Sequence, residues 1–560
     1  MPGKKSSTFS VTLMIIFVVL TQHLSATPDG DCRIAASGNA VIYHAASGKC
    51  QPMACANDTT AFSKSIEDYS QLLHLPGLVV GVALGDSLIF FKSIGTANDS
   101  TKEPLTADHI FPIASLTKSF TAVALEQMEG EGKLSLNDLI SKYPNQYFTP
   151  ARWNQQTTLA HLISQTAESD PPGTQFVYNG SKYNIAFNAF CAINKINIPN
   201  DIARPFTDEI QRRILTPSKM EHTLLRFSES EYGHLKKWVV RTYHLDAAGR
   251  FMPNAVNLNN MQSGPGFGMM SSVNDLVRYS SAIGRHKLLT AEQYKKITTP
   301  FYPGSPYGMG WFTTTFEGIA LHWAYGYGGS DAALLLRVPS KNLTLIILSP
   351  CTLPSETTRL GYGNPFNAML ACAFFRNYVQ PQTVNSRLPV EEKFAKATTL
   401  SFLPRSFHPD TLAAGRLLQE LIKQYPSDEI WQSPTAFELV SASADPRIVR
   451  FGVKMADQYV RSEKLHPMKE WYAGLIYQKN GQPDKATACF ERLATGDQFS
   501  EQGCKFSAMM ILARQYRSTN VQRSRQMLQN LIRFKETMDA KDQEYNEAKE
   551  MLAQLGAEQE

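Results

Sequence analysis

The sequence predicts an α+β domain, an antiparallel β-sheet flanked by helices, followed by an all-α region of helical hairpins. Two observations support this fold class. Strand-like runs and helical stretches are mixed from about residue 63 to residue 378, and strand patterns fade from about residue 390 onward. The strand-like runs lie at both ends of the first region, so we expect strands from both ends to form one sheet with the helices packed beside it.

The predicted sheet consists of a hairpin and four later strands. Two β-rich runs, Leu78–Leu84 and Leu88–Ile94, are separated by the turn residues Gly85-Asp86-Ser87, which predicts the hairpin. Turn residues also separate the four later runs, which are Tyr307–Thr315, Ile319–Tyr325, Ala332–Val338 and Leu343–Leu348.

The first 26 residues have the pattern of a secretory signal peptide. Lys4 and Lys5 precede the apolar run Val11–Leu20, which is shorter than the roughly 20 residues of a membrane-spanning helix, and Ala26 is a small residue at the cleavage position. We expect a secreted or periplasmic protein with no membrane span after cleavage, and an uncleaved anchor is the alternative. The later boundaries that we predict are a cysteine-containing segment at 27–62, the α+β domain at 63–378, a linker at 379–400 and a helical domain at 401–560.

The chain has eight cysteines, an even number that permits disulfides in an exported protein. Cys32, Cys50 and Cys55 crowd the N-terminal segment, where a local bridge fits, and Cys489 and Cys504 lie on neighbouring predicted helices. Buried free thiols are the alternative for the isolated cysteines.

Composition excludes several classes of function. The net charge of +5 over 560 residues does not suggest a nucleic-acid partner. No Cys-x-x-Cys pair and no glycine-rich phosphate loop occurs, so the sequence implies no metal site of that type and no cofactor. The partners that we expect are a small-molecule or peptide substrate and, through the helical region, a protein.

The helical region contains a repeat pattern. Five residues fit tetratricopeptide spacing, in which small residues let two helices approach and aromatic residues fill the gap between hairpins: Gly474, Tyr477, Gly481, Ala486 and Phe490. Residues 505–533 resemble a second, degenerate helix pair. A plain helical bundle is the alternative, and either arrangement favours interaction or packing over catalysis.

Ser115-Leu116-Thr117-Lys118 is the only Ser-x-x-Lys in the chain. If Ser115 opens a helix, Lys118 lies on the same face and can reach the serine hydroxyl. A serine is a poor nucleophile until a neighbouring base takes its proton, and a lysine serves as that base only if its pKa is lowered. The four residues by themselves favour the alternative, an N-capping serine followed by an exposed lysine.

The sequence around this motif resembles the serine β-lactamase and penicillin-binding-protein superfamily, and most of all its class C-type branch of esterases and D-peptidases. The segments that carry the resemblance occur in the family's order. They are Leu75-Pro76-Gly77 before the hairpin, the nucleophile segment His109–Ala122, Glu129–Leu139, Pro172–Tyr178, Gly264–Tyr279 and Tyr307–Trp311.

The resemblance implies roles for matching residues. Ser115 would be the acylated nucleophile, Lys118 its proton acceptor, and Tyr178 the tyrosine that passes the proton to the leaving group and helps to activate water. The main-chain N–H groups of Ser115 and Tyr327 would form the oxyanion hole, which does not depend on side chains.

Two departures from the family pattern concern substrate binding. Gly180 stands where the family's Tyr-x-Asn motif often has asparagine, with Asn179 and Asn184 nearby but out of register. The third motif matches Ala324-Tyr325-Gly326 and lacks its cation. His322 lies two residues earlier on the same strand face, so it is a candidate substitute for the cation, with a structural histidine as the alternative.

The resemblance and its departures together imply an exported serine hydrolase that cleaves an ester, amide or peptide bond and is a poor β-lactamase. We expect the substrate to contact His322, Tyr325, Gly326 and Asn179. Trp323, Tyr325 and Tyr327 are candidates to line an apolar or aromatic pocket, with ordinary strand packing as the more frequent alternative. The competing hypothesis is a weakly active or inactive binding protein of the same fold, with a helical interaction domain.

Overall fold

The computed structural model describes the chain from residue 59 to residue 557 with short gaps, and three short strands before it. The ranges described are 25–26, 31–34, 41–44, 59–143, 154–169, 171–194, 203–227, 232–254, 263–380, 386–407, 410–462, 466–495, 502–537 and 541–557. Residues 1–56 form one compact unit and residues 57–560 form another. Most of the predicted signal peptide and the side chains of Cys32, Cys50 and Cys55 lie outside the described residues.

Fourteen strands occur in the described residues. They are β1 (Ser25–Ala26), β2 (Asp31–Ile34), β3 (Val41–His44), β4 (Gly77–Leu84), β5 (Ser87–Asn98), β6 (Glu103–Pro104), β7 (Phe111–Pro112), β8 (Tyr243–Leu245), β9 (Phe251–Pro253), β10 (Met270–Ser271), β11 (Phe312–Phe316), β12 (Ile319–Tyr327), β13 (Ala332–Val338) and β14 (Leu343–Ser349). Strands β1 to β3 form a small antiparallel sheet within the N-terminal unit.

A seven-stranded antiparallel sheet confirms the predicted fold class. Its strand order is β11-β12-β13-β14-β4-β5-β6, so strands from both ends of the region meet where β14 pairs with β4. Alternate residues face two different cores, as strand geometry requires. Val79 and Ala83 belong to the core that contains Phe120 of the helix Thr117–Gly130. Leu78, Val80 and Val82 belong to the core on the other face, which contains Phe62 of the helix Thr59–Leu72.

One strand begins later than predicted. The run that we predicted at Tyr307–Thr315 is a strand only from Phe312. Gly310 has a φ of 76°, and a Cβ there would lie 2.4 Å from the Ala122 Cβ and 2.8 Å from the Lys118 carbonyl oxygen. The chain therefore turns at Gly310, close against the helix that contains Lys118 and Ala122, before the strand starts.

Twenty α-helices occur in the described residues. They are α1 (Thr59–Leu72), α2 (Thr117–Gly130), α3 (Leu159–Ile163), α4 (Gly180–Tyr183), α5 (Phe187–Ile193), α6 (Arg204–Ile210), α7 (Thr216–Ser218), α8 (Val273–Gly284), α9 (Ala291–Thr298), α10 (Leu353–Glu356), α11 (Met369–Phe374), α12 (Leu388–Ser401), α13 (Thr411–Gln424), α14 (Pro434–Ala442), α15 (Pro446–Val460), α16 (Pro467–Lys479), α17 (Pro483–Thr495), α18 (Gln502–Tyr516), α19 (Val521–Thr537) and α20 (Gln543–Ala557). None of them is both long and apolar enough to cross a bilayer.

The range predicted as a linker, 379–400, contains most of helix α12, whose residues are largely buried. Leu388 and Ala395 of α12 pack in the core beneath the sheet, whereas Phe394 and Ala397 pack in the core of the helical region. Two faces of α12 are buried, one in each core. Composition alone does not distinguish such a helix from a linker. The helix therefore joins the two regions through packing.

Polar contacts reinforce this junction. The Arg359 guanidinium bonds both carboxylate oxygens of Glu438 on α14 at 3.0–3.2 Å and lies 3.8 Å from the centroid of the Phe402 ring. The Asn367 side-chain amide donates to Thr435 Oγ1 at 2.9 Å in a buried contact. An ion pair and a buried hydrogen bond therefore hold the helical region against the sheet domain, in addition to apolar packing.

Helices α16 and α17 form a tight hairpin at the predicted repeat. Gly474 faces Phe490, since a Cβ at Gly474 would lie 2.5 Å from the Phe490 ring. Gly481 has a φ of 70° in the turn, and Ala486 is fully buried. Small residues therefore allow the close approach that the spacing predicts.

The described cysteines form no disulfide. Cys489 and Cys504, which we predicted on neighbouring helices, are both free thiols, and so are Cys191, Cys351 and Cys372. All but Cys504 are buried, as expected for cysteines that fill space in a core.

A charge placed on the buried face of α12 tests whether the two regions fold together. We expect Ala395→Asp to lower the free energy of unfolding by about 3–5 kcal/mol, because it places an uncompensated carboxylate in the core. Lys396→Asp, one residue further and exposed, is the matched control, with an expected change below about 0.5 kcal/mol. Urea unfolding of both variants measures the difference, and equal stabilities would show that α12 is a linker.

Candidate active site

Ser115 lies in a single 3₁₀ turn, Ala114–Leu116, that leads directly into α2. Ala114 has a φ of 40°, a left-handed conformation that is rare for a residue with a side chain. Ser115 is partly exposed, whereas Leu116 anchors the turn in the core. The turn therefore presents the serine at the surface from a rigid base, at a strained position of the kind that clusters in functional sites.

Lys118 is buried directly beneath this serine. Its Nζ lies 2.9 Å from Ser115 Oγ and donates to the Gly266 carbonyl oxygen at 2.8 Å. The side chain is 1% exposed, and among the described residues no carboxylate pairs with it. Burial lowers the pKa of Lys118 to about 7, because the charged form is poorly solvated. A substantial fraction of the amine is therefore neutral near pH 7 and able to accept a proton.

Tyr178 is the third predicted catalytic residue, and the structure brings it to the same point. Lys118 Nζ lies 5.1 Å from the centroid of its ring. A hydrogen bond with Ser115 partly offsets the effect of burial, which raises the pKa of the Tyr178 hydroxyl above its ordinary value. Tyr178 is thus neutral near pH 7, which leaves Lys118 as the group suited to take the serine proton.

Strand β12 packs directly on the serine turn at Gly326. A Cβ at Gly326 would lie 2.2 Å from the Ile113 carbonyl oxygen and 3.2 Å from the Ala114 Cβ. The Gly326 carbonyl accepts a hydrogen bond from Ser355 Oγ at 2.7 Å. Because Tyr327 follows Gly326, its backbone lies close to the turn that holds Ser115.

Asn179, which we predicted to contact the substrate, makes local hydrogen bonds through its side chain. Its Nδ2 donates to Glu168 Oε1 at 3.0 Å, and its Oδ1 accepts from the Lys182 main-chain N–H at 2.9 Å. Asn179 therefore caps α4, a role that its position just before the helix favours.

Two residues that the sequence analysis did not assign complete the site. The Gly266 carbonyl holds Lys118, and the Gly266 N–H donates to Asn184 Oδ1 at 2.7 Å. A Cβ at Gly180 would lie only 3.7 Å from Lys118 Nζ, so this position faces the lysine. Asn184 lies four residues after Gly180, on the same helical face. Helical spacing, rather than the spacing of the Tyr-x-Asn motif, was the signal that could have identified it.

Glycine at 266 is required by the same close packing. A Cβ there would lie 2.8 Å from the Gly180 carbonyl oxygen and 2.9 Å from Asn184 Oδ1. Strand β10, just after this loop, pairs with β7, which precedes the serine turn. The loop at 264–267 and the serine turn are therefore fixed to each other by backbone pairing.

His322 has the surroundings of a structural histidine, which is the alternative that the sequence analysis left open. Its Nδ1 lies 2.7 Å from the Tyr294 hydroxyl, and its strand partner is Arg337. Burial, followed by the nearby Arg337 charge, lowers the pKa of His322 to about 4. The ring is neutral near pH 7 and lies four residues from Gly326, about 13 Å along the strand.

The predicted aromatic pocket forms only in part. Trp323 is fully buried and stacks on Phe312, so it cannot line a pocket. The Tyr325 ring lies 6.0 Å from the Tyr178 ring and is 9% exposed, so it packs near Tyr178 rather than opening to solvent. Tyr327, in contrast, is half exposed.

Comparison with known proteins matches the same region. The family described as Beta-lactamase matches residues 62–362, just over half of the chain. Protein flp of Staphylococcus aureus strain MW2 is 23% identical over 326 residues, which cover 51% of this chain and 61% of that protein. A beta-lactamase of Escherichia coli strain K12 is 25% identical over 230 residues, which cover 37% of this chain and 55% of that protein. The chain thus spans less than two thirds of the length of these relatives.

Two solved structures are also similar to the chain. An octameric penicillin-binding protein homologue from Pyrococcus abyssi aligns with a TM-score of 0.49 and 20% identity, over 61% of this chain and 81% of that one. The D-alanine carboxypeptidase AmpC from Burkholderia cenocepacia aligns with a TM-score of 0.42 and 16% identity, over 52% of this chain and 93% of that one.

A side chain at Gly326 tests the contact between β12 and the serine turn. We expect Gly326→Ala to slow the reaction of Ser115 with a fluorophosphonate by about a hundredfold, because the strand must move away from the turn and misplace the oxyanion donors. Gly329→Ala is the matched control, since nothing lies within 4 Å of a Cβ at that position. Intact-mass kinetics on both variants measure the effect, and equal rates would mean that the contact is not needed for reactivity.

Proposed function

The chain belongs to the beta-lactamase family, and on that premise we propose that it is a serine hydrolase that forms an acyl-enzyme on Ser115. The observation that carries the proposal is the buried Lys118 amine, 2.9 Å from Ser115 Oγ and without a carboxylate partner among the described residues. A lysine in this environment suits general-base chemistry near neutral pH.

The proposed reaction has two steps. Neutral Lys118 takes the Ser115 proton while Oγ bonds to the substrate carbonyl carbon, and the main-chain N–H groups of Ser115 and Tyr327 stabilise the oxyanion. The bond to the leaving group then breaks as neutral Tyr178 gives that group its proton, and Lys118 passes to Tyr178 the proton that it took from Ser115. Water, activated by the same two side chains, releases the acid and restores Ser115.

The substrate that we propose is a neutral ester, amide or peptide bond. Ala324 contributes no charge to the third motif, and His322 is neutral near pH 7. A substrate carboxylate would therefore find no cation at this end of the site, which disfavours β-lactams and peptides that end in D-alanine. We also propose that the protein is exported, on the basis of the pattern of its first 26 residues.

A specific observation favours a second candidate function, a binding protein that uses the pocket without turnover. Gly180 and Ala324 both lack the polar side chains that the family pattern provides. The burial of Lys118 beside Ser115 favours the hydrolase. Burying an amine without a counter-ion costs stability, and lysines with a pKa lowered in this way cluster at catalytic sites.

Covalent labelling separates the two candidates. We expect a fluorophosphonate to add once to the purified protein, on Ser115, and not at all to Ser115→Ala, as read by intact mass. Thermal unfolding of both proteins, compared side by side, establishes that each is folded. A folded parent without an adduct would leave the binding protein as the function of this site.

The pH profile of labelling tests Lys118 as the base. The pKa of Lys118 is lowered to about 7, so the neutral form that accepts the proton grows as pH rises. We expect the labelling rate to rise about tenfold per pH unit below pH 7 and to level off above about pH 8. Lys118→Arg, which stays charged, should lose both the inflection and most of the rate.

The profile has two outcomes that would contradict this assignment. An inflection near 10.5, the ordinary value for lysine, would mean that the amine is not desolvated. A rate independent of pH between 5 and 9 would mean that another group takes the serine proton.

A further inference from the structure

Two exposed aromatic side chains stand beside the serine turn. Phe267 is 49% exposed and Tyr327 is 50% exposed. They are two of the seven strongly exposed large apolar residues in the described part of the chain. Both directly follow a glycine that contacts the catalytic apparatus, and exposed apolar groups concentrated at one place indicate a binding surface.

Phe267 is held in place by the loop that binds Lys118. Its N–H donates to the Gly264 carbonyl at 3.3 Å, and its own carbonyl accepts from the Gly264 N–H at 2.8 Å. The residue before it, Gly266, accepts from Lys118 Nζ at 2.8 Å, and Lys118 Nζ in turn lies 2.9 Å from Ser115 Oγ. Phe267 therefore belongs to a loop that is connected to Ser115 through the hydrogen bonds of Lys118.

Tyr327 is carried on a second fixed element, at the end of β12. Gly326 packs against Ile113, the residue that precedes the serine turn by one position, and its carbonyl accepts from Ser355 Oγ. Tyr327 itself pairs with Ala332 in the sheet. The two rings thus rise from separate elements, a loop and a strand, that both contact the segment carrying Ser115.

The charged groups around Tyr327 are engaged with other residues. Glu356 and, after it, Arg359 act electrostatically on the Tyr327 hydroxyl. Glu356 accepts a hydrogen bond from Thr352 Oγ1 at 3.2 Å, and Arg359 bonds Glu438. Asp331, just before the next strand, is 6% exposed, and burial raises its pKa to about 7. Because Glu356 and Arg359 already have partners, this place favours a neutral ligand.

We propose that Phe267 and Tyr327 form an apolar subsite that binds the acyl chain of a neutral ester. This inference rests on the proposed function and specifies its substrate class. The ester carbonyl carbon bonds to Ser115 Oγ, the bond to the alcohol oxygen breaks, and the alcohol leaves with the proton that Ser115 gave up. The apolar acyl chain lies between the two rings, so longer acyl chains react faster than acetyl.

A series of p-nitrophenyl esters tests the subsite on the full-length protein. We expect kcat/KM for the hexanoate to exceed that for the acetate by at least about tenfold. The butyrate should also exceed the hemisuccinate, which has the same number of acyl carbons but ends in a carboxylate, by about tenfold or more.

Substitutions assign the preference to the two rings. Phe267→Ser and Tyr327→Ser should each lower the hexanoate-to-acetate ratio by about tenfold, because they remove apolar surface that only the longer chain contacts. Tyr425→Ser is the matched control, an aromatic residue in the helical region that is 38% exposed, and it should leave the ratio unchanged. Because all three side chains are substantially exposed, the variants should fold, which thermal unfolding verifies.

The outcomes distinguish this inference from the function on which it rests. A parent that hydrolyses the acetate but shows a ratio near one overturns the subsite alone. A ratio that persists in both serine variants also overturns it. A parent that hydrolyses none of the esters and takes no fluorophosphonate overturns both the subsite and the proposed hydrolase.

Discussion

The site depends on a lysine amine held out of water at hydrogen-bond distance from a serine. Burial lowers the pKa of Lys118 to about 7, and burial can be complete only if the surrounding backbone fits closely around the side chain. The serine turn covers it on one side and the loop at 264–267 covers it on another. The Tyr178 and Tyr183 rings lie 5.1 and 5.4 Å from Nζ. Each of these elements comes from a different part of the chain, so the site exists only when the whole domain is folded.

Close backbone approach, rather than side-chain chemistry, explains how this site differs from the family pattern. Glycine at 266 lets two backbone segments meet beside Lys118, since a Cβ there would lie 2.8 Å from the Gly180 carbonyl oxygen, whereas a Cβ at Gly180 would make an ordinary contact with Lys118 Nζ at 3.7 Å. The Gly266 carbonyl then provides an acceptor for the lysine, and Asn184 fixes that loop. The polar contact that a motif asparagine would offer is thus partly replaced by main-chain geometry. At the third motif there is no comparable replacement, since His322 is turned toward Tyr294. Lys118 thus keeps its hydrogen bonds to Ser115 and Gly266, whereas the third motif, with Ala324, has no cation of its own.

The helical region belongs to the same folding unit as the sheet. Helix α12 contributes to the cores of both regions, and Arg359 links the segment after β14 to α14. Arg359 bonds Glu438 of the helical region and also acts electrostatically on Tyr327. One side chain thus connects the helical region with the end of β12. A region that we expected to serve as an interaction module therefore uses part of its surface to stabilise the hydrolase-type domain.

The sequence by itself determined the fold class, the positions of six of the seven strands in the main sheet and the residues of the Ser-x-x-Lys motif. Alternating apolar residues and turn residues are local signals, and the helical spacing of Ser115 and Lys118 is fixed by their separation along the chain. Tertiary structure decided what depends on distant segments. The strand position of His322 made it a candidate substitute for the missing cation, yet in the structure it contacts the Tyr294 hydroxyl and pairs with Arg337. Asn184 looked out of register, yet it lies one helical turn from Gly180. The late start of β11 and the burial of α12 likewise follow from contacts with remote residues. Burial and hydrogen-bond partners, which set the pKa of each group, arise only when those segments pack together.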